Sequence, residues 1–353
     1  MNYIKDYKKN KRIKLKKFVL IFTAILGIYG ISSILYSKIE SDNNEIVNVC
    51  EEECIEKASK NIVGISRSDN SFDNSVTSWG SGVVISKKGY ILTNEHVSGS
   101  KNGICYVVLN SKEKYKGNIV WSNSDTDLSI VKIDCNFEDC AILGDSDALK
   151  LGQKIYTIGN PIGIDFQKSV SAGVVSGTNR NLEFEENGKK FYIDDLIQTD
   201  ATINQGNSGG ALINSAGQLV GITTIKISSA EAIGFAVPIN IVKPILKKLE
   251  NTGKFKQATL GIWGYDKYSI QKINTGVHLE NGIYVGQVNL NSGSEKAGIK
   301  VGDVIISING KNLEKISNLR LYIFEKNPGD EVLIKIKRGN SEYNVQVKLD
   351  EAV

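Results

Sequence analysis

The sequence predicts a mainly β protein: a large β-barrel or sandwich unit, then a smaller C-terminal β module, both behind an N-terminal transmembrane helix. Three observations lead there. Short alternating apolar runs, broken by Gly, Asn, Asp and Ser, fill the chain up to about Pro238. The last hundred residues carry further strand-like runs but no cysteine. Phe18 to Tyr36 form an uncharged apolar stretch between a basic tail and an acidic segment. At 353 residues the chain exceeds one ordinary core, so two or three domains are expected.

The tail explains the charge. Residues 1–17 carry Lys5, Lys8, Lys9, Lys11, Arg12, Lys14, Lys16 and Lys17 against Asp6, a local +7 within a total of +4, which leaves the rest at −3. A nucleic-acid partner therefore loses its main support. At helical rise the uncharged run FVLIFTAILGIYGISSILY spans about 28 Å, close to the hydrocarbon thickness of a bilayer. The basic flank before it and the acidic stretch Glu40–Glu56 after it predict a single-pass anchor with a cytoplasmic N-terminus and an external body. A cleaved signal peptide is the competing reading. The run is long for a signal core and no small-x-small site follows it, which favours the uncleaved anchor. The expected order is a cytoplasmic tail (1–17), an anchor (18–36) and a polar linker (37–45).

From about 46 to 60 a helical period places Val47, Cys50, Cys54 and Ala58 on one face, where small apolar residues pack. Cys105 lies in the strand-like ICYVVL and shares its parity with Val107 and Leu109, an expected core position. Cys135 and Cys140 bracket a short loop and are spaced to pair in an oxidising compartment. Five cysteines allow at most two internal bridges, and no Cys/His spacing resembles a metal site. No cofactor is expected.

The strand-like runs follow in order: GSGVVIS, YILTNEHV, CYVVLN, GNIVWS, LSIVKID, KIYTIGNP, SAGVVSG, GALINSAGQLVGITTI and IGFAVP. Residues 239–249 then read as an amphipathic helix with Ile241, Ile245 and Leu249 at helical spacing. It stops at Gly253, which marks a domain boundary. Beyond it GIYVGQV, GDVIISING, EVLIKIKR and YNVQVKL read as strands, and 318–326 as a helix with Leu319, Tyr322 and Ile323 on one side.

The chemistry centres on Gly206-Asn207-Ser208-Gly209-Gly210. Glycines around a serine let the backbone turn tightly and direct amide N–H groups toward a developing oxyanion. An alcohol also needs a base, and the chain has two histidines. His96 closes the run Tyr90–Val97, a strand end that would hold an imidazole rigidly. His278, in GVHLENGIYV, reads as a surface or groove-wall histidine. For the acid that orients the base, Asp125, Asp127 and Asp134 all lie between His96 and Ser208, and spacing alone does not choose among them. Asp127 sits at the mouth of the strand Leu128–Ile133, mirroring His96, whereas Asp125 falls in a turn.

TNEHV, the run Asp127–Ile133, GNPIG, VSAGVVSGTNR, QTDATINQGNSGG and IGFAVPIN, in that order, resemble the HtrA/Deg family of serine proteases across roughly residues 50–350. The resemblance implies a chymotrypsin-like pair of six-stranded β-barrels (46–253) followed by a PDZ domain (258–350). It makes Ser208 the nucleophile, His96 the general base and Asp127 the orienting acid. The oxyanion hole falls to the amides of Gly206 and Ser208, with Asn207 setting the turn. The specificity pocket falls to Ala201, Thr202, Ile203, Asn204 and Ile225. Thr202 stands where basic specificity places an aspartate, so a small aliphatic residue before the scissile bond is expected. Thr259-Leu260-Gly261-Ile262 resembles the PDZ carboxylate-binding loop, where a peptide C-terminus adds as a strand. Gln205, Ala211 and Ser294 depart from the family pattern without touching a catalytic side chain. The short stretch Ser68–Ser78 leaves a homotrimer as the implied assembly.

The implied function is an extracytoplasmic serine endopeptidase. Its expected substrates are unfolded or misfolded proteins, with C-terminal peptides as PDZ partners. The alternative is a chaperone-like peptide-binding protein with a vestigial protease site.

Overall fold

The computed structural model describes residues 50–67, 78–109, 113–160, 167–186, 189–226, 232–272 and 276–352. The basic tail, the apolar run 18–36, the linker, Val47, residues 68–77 and the Pro161–Gly163 part of GNPIG lie outside them. Among the described residues no helix is long and apolar enough to cross a membrane.

A nine-residue helix, α1 (Glu51–Ser59), begins the described chain. It matches the expected helical period, but Cys50 is exposed and the packed residues are Ile55 and Ala58. Six strands then close a first barrel: β1 (Ile62–Arg67), β2 (Ser78–Ser86), β3 (Tyr90–Thr93), β4 (Ile104–Val108), β5 (Lys114–Asn123) and β6 (Leu128–Lys132), in spatial order β1-β2-β3-β6-β5-β4. Antiparallel pairing of β1 with β4 completes the closure and leaves no free edge. A second barrel repeats the arrangement with β7 (Lys154–Gly159), β8 (Ser169–Glu186), β9 (Lys189–Thr199), β10 (Ala211–Asn214), β11 (Leu219–Lys226) and β12 (Gly234–Pro238), in order β10-β11-β12-β9-β8-β7.

Side-chain alternation sorts each strand between two cores. In the first barrel Val63, Ile65, Val84, Ile91, Cys105, Val107, Ile119 and Val131 fill the interior. Their neighbours Ile62, Val83, Ile85, Leu92 and Ile130 join residues of the second barrel in a shared cluster. Cys105 is fully buried, as its parity predicts, and burial pushes its thiol up to about 12. All five cysteines are free thiols, so Cys135 and Cys140 stand unbridged.

After a short 3-10 turn (Ile239–Ile241), helix α3 (Lys243–Thr252) buries Ile245, Leu246 and Leu249 and ends on Gly253 at φ 70°. That left-handed cap is the stop the sequence announces. The C-terminal module is a sheet of β14 (Ile262–Tyr265), β15 (Ile283–Val288), β16 (Val304–Ile308), β18 (Glu331–Arg338) and β19 (Ser341–Lys348), with the short β17 (Lys311–Asn312) on β16. The two-residue strands β13 (Ala258–Thr259) and β20 (Asp350–Glu351) pair beside it. Helices α4 (Gly293–Lys296) and α5 (Ile316–Phe324) complete the module; a four-residue helix, α2 (Glu95–Ser98), lies in the first barrel.

The module is docked on the barrels. Phe324 of α5 joins the shared barrel cluster and meets Trp121 and Phe255 edge to face, with ring centroids 6.2 and 6.1 Å away. Arg320 of the same helix forms a 2.8 Å ion pair with Asp194 of β9, whose side chain is 4% exposed. Burial pushes the neighbouring Asp195 carboxyl upward, with Lys315 at 3.6 Å opposing it.

Candidate active site

Asp127 enters β6 in the left-handed region at φ 51°, a conformation that aspartate tolerates better than most side chains. The turn frees its carbonyl and carboxylate to work in two directions. Its carbonyl accepts hydrogen bonds from Asn94 Nδ2 at 2.8 Å and from the Glu95 amide at 3.2 Å. Its Oδ1 accepts the His96 amide at 3.0 Å, and its Oδ2 lies 2.8 Å from His96 Nδ1.

These bonds change the expected local structure. β3 stops at Thr93, and His96 sits on α2 rather than at a strand end. The strand cannot continue because Asp127 draws in the donors at 94–96, and Ser98 Oγ closes the turn on the Asn94 carbonyl at 3.2 Å. Asp125 and Asp134, the other acids in the interval, are exposed, so the structure brings Asp127 alone of the three against His96.

An ionised carboxylate only accepts hydrogen bonds, so the neutral imidazole facing it carries its proton on Nδ1 and keeps the Nε2 lone pair. His96 is 48% exposed at its side chain against 13% for Asp127.

Ser208 lies in the turn between β9 and β10, held from both barrels. Its carbonyl accepts the Ser81 amide of β2 at 2.8 Å. Buried Ser81 Oγ donates to the Gly206 carbonyl at 2.7 Å and accepts the Asn160 amide at 2.8 Å. Gly206 and Gly209 have φ of 94° and 82°. A Cβ on Gly209 would stand 2.1 Å from the Ser81 carbonyl oxygen and 2.3 Å from Thr93 Oγ1, so this position admits glycine alone. Among the described residues the amides of Gly206 and Ser208 donate to no other group, and both remain available to an oxyanion. Asn207 is buried, with its Oδ1 unpartnered.

Thr224 of β11 links the two halves. Its hydroxyl donates to Asp127 Oδ2 at 2.6 Å, and its carbonyl accepts Ser208 Oγ at 3.0 Å. Neither Thr224 nor Ser81 is singled out by the sequence. Each stands in an ordinary alternating run, and its partner is 97 or 125 residues away.

Of the residues expected to line the specificity pocket, Thr202 and Asn204 are exposed. Ala201 packs into the core of the second barrel at 2% exposure. Ile203, at 3%, packs against Gly234, where a Cβ would come within 2.7 Å of it. The side chain of Ile225 lies outside the described set. In the C-terminal module Leu260 is buried in the core and Gly261 turns at φ 72° against Ser292. The Gly261 amide donates to Thr259 Oγ1 at 3.1 Å, and its carbonyl accepts the Asn289 amide at 2.8 Å. His278 is exposed, and no metal-binding group of His, Cys, Asp or Glu occurs among the described residues.

Residues 80–222 match the family model of a trypsin-like peptidase domain, and residues 269–349 that of a PDZ domain. The chain is 36% identical over 309 residues to serine protease Do-like HtrB of Bacillus subtilis (strain 168), covering 80% of this chain and 67% of that protein. With serine protease Do-like HtrA of the same organism the identity is 37% over 309 residues, covering 84% and 68%. The solved structure of the HtrA-type protease AlgW with decapeptide aligns at a TM-score of 0.63 and 26% identity, covering 86% of this chain and 99% of that one. The serine endoprotease from Yersinia pestis aligns at 0.61 and 28% identity, again covering 86% and 99%.

Proposed function

Because this chain belongs to the Do-like HtrA family of serine proteases, we propose that Ser208, His96 and Asp127 are the catalytic triad of a protein quality-control endopeptidase. That the chain is a serine endopeptidase of the HtrA/Deg type rests on its peptidase and PDZ domains and its relatives. The observation that carries the residue assignment is the 2.8 Å contact between His96 Nδ1 and Asp127 Oδ2, backed by the 3.0 Å bond from the His96 amide.

In this reading Ser208 Oγ exchanges its hydrogen bond to the Thr224 carbonyl for one to His96 Nε2. Oγ then forms a bond to the scissile carbonyl carbon while its proton passes to Nε2. The resulting oxyanion is held by the amides of Gly206 and Ser208, each such donor contributing about 3 kcal/mol of transition-state stabilisation. The protonated His96 delivers that proton to the leaving amine, which departs and leaves an acyl-Ser208. Water, deprotonated by His96, then bonds to the acyl carbon; the bond to Ser208 Oγ breaks, His96 returns the proton to Oγ, and the acyl group leaves as a carboxylic acid. Asp127 holds the tautomer throughout, and Thr224 holds Asp127.

The proposal extends to a preference for small aliphatic residues before the scissile bond, since uncharged Thr202 and apolar Ile203 precede the nucleophile. It also includes binding of C-terminal peptides by the loop Thr259–Ile262, with control of the protease through the docked helix α5. The apolar run 18–36 behind its basic tail supports a membrane anchor with the enzyme outside the cytoplasm. The family resemblance supports a homotrimer acting on unfolded proteins.

A fluorophosphonate probe on the full chain tests the centre. Wild type should label at Ser208 and hydrolyse casein, and Ser208→Ala should do neither. Undiminished casein hydrolysis by Ser208→Ala would overturn the assignment.

A further inference from the structure

We propose that Trp263 selects the penultimate residue of a bound C-terminal peptide, favouring an aromatic side chain; this rests on the reading that the loop Thr259–Ile262 holds a peptide carboxylate. Trp263 is 56% exposed, an unusual place for a large aromatic ring. It stands on β14, which pairs with β15 and is the edge of the sheet. An edge strand offers its free amide and carbonyl groups to an added strand.

The register of that added strand follows from where its carboxylate sits. With the carboxylate at the turn around Gly261, an antiparallel peptide places its last residue opposite Ile262, the next opposite Trp263, and the third opposite Gly264. Opposed residues on paired strands point to the same side. Ile262 packs against the core of the module, and a Cβ on Gly264 would meet Ile283 and Ile316, so both face inward toward α5. Trp263 and Tyr265 therefore face outward, and the penultimate side chain lies beside the Trp263 ring.

The surface around Trp263 points to an aromatic neighbour over a cationic one. Gln287 is its cross-strand partner, Tyr284 faces Tyr265, and the Tyr265 ring lies over Gly286. No residue of β14 or β15 is charged, so a basic side chain would find no carboxylate on either strand, and at this exposure a ring face alone attracts a hydrated cation only weakly. Asp266 holds this edge in place. Its Oδ1 accepts the amides of Tyr268 and Ser269 at 3.0 and 2.9 Å, and its Oδ2 accepts the Ile316 amide at 3.2 Å, joining the end of β14 to the start of α5.

The test uses the full chain carrying Ser208→Ala, so that peptides are bound and not cleaved. Labelled peptides of one sequence with Tyr, Arg or Ala at the penultimate position, and a C-terminally amidated Tyr peptide, are titrated by fluorescence anisotropy. The Tyr peptide should bind about three- to tenfold more tightly than the Ala peptide. Trp263→Ala should erase that ratio while leaving the Ala peptide unchanged, and Trp263→Phe should restore much of it. Equal weakening of all peptides by Trp263→Ala, or a tighter Arg than Tyr peptide, overturns the proposal and leaves the groove intact. Binding of the amidated peptide as tight as its acid, or no binding at all, overturns the groove reading and this inference with it.

Discussion

The ion pair between Arg320 and Asp194 offers a quantitative test of how the PDZ domain is docked. Arg320 Nη1 lies 2.8 Å from Asp194 Oδ1, and the two side chains are 18% and 4% exposed. The other carboxylate oxygen, Oδ2, is buried without a partner. Two charges have thus been removed from water for a single hydrogen bond, with Asp195 adding like charge nearby. Breaking one side of such a pair costs about 3–5 kcal/mol, because the remaining charge stays buried and uncompensated. The orphaned oxygen puts this pair at the lower end, about 3 kcal/mol, or roughly two decades in the docking equilibrium. Arg320→Met and Asp194→Leu should each destabilise by that amount. The double variant should recover wild-type stability or exceed it, since apolar side chains of similar volume need no compensation. Denaturant unfolding of the four proteins, with hydrogen exchange across Ile316–Phe324, measures the cycle. Single variants costing under about 1 kcal/mol, or costs that simply add in the double variant, would refute the reasoning.

Three further outcomes follow from the geometry. Thr224→Val keeps the carbonyl that accepts from Ser208 and removes the hydroxyl on Asp127. It should lower kcat about tenfold with KM little changed, and an unchanged kcat in peptide hydrolysis would count against Thr224 as a positioning residue. Gly209→Ala adds a left-handed penalty of about 1–2 kcal/mol and drives a methyl into the Ser81 carbonyl. The variant should lose fluorophosphonate labelling at temperatures where circular dichroism still reports a folded chain. Hydrogen bonds from Ser215, Lys154 and Tyr156 hold Glu51 down at about 2 against an ordinary 4.5. Its contribution is therefore complete above pH 4.5 and is lost as pH falls toward 2. Urea midpoints should fall more steeply over that interval for wild type than for Glu51→Gln, and identical slopes would rule the contact out as a determinant.

Strand positions were legible wherever a strand is buried on alternating faces. Cys105, Val107 and Leu109 announce the interior of the first barrel by parity alone, and Gly253 announces the end of α3. The glycines around Ser208 were legible as a turn because a tight turn around a hydroxyl has few solutions. The strand expected to end at His96 stops at Thr93 for a specific reason. Tyr90–Val97 opens on the strand-forming Tyr90-Ile91-Leu92-Thr93, but the donors at 94–96 are claimed by Asp127, a residue that no local pattern connects to them. Ser81 and Thr224 were hidden in the same way, as ordinary strand residues whose work depends on a loop a hundred residues distant. The docking of Phe324 was invisible because a helix with apolar residues on several sides reads as core, without saying whose core.

Helix α1 opens the described chain, yet several of its contacts reach into the second barrel. Glu51 meets Lys154 at 2.9 Å, the Cys54 carbonyl covers Gly217, and Ile55 and Ala58 pack on the cluster the barrels share. During synthesis the first barrel can close as soon as β6 has emerged, but α1 must wait for residues more than a hundred positions downstream. Contacts of that sequence separation form slowly. The segment entering β1 is therefore held in part by surface that exists only once the second barrel is present.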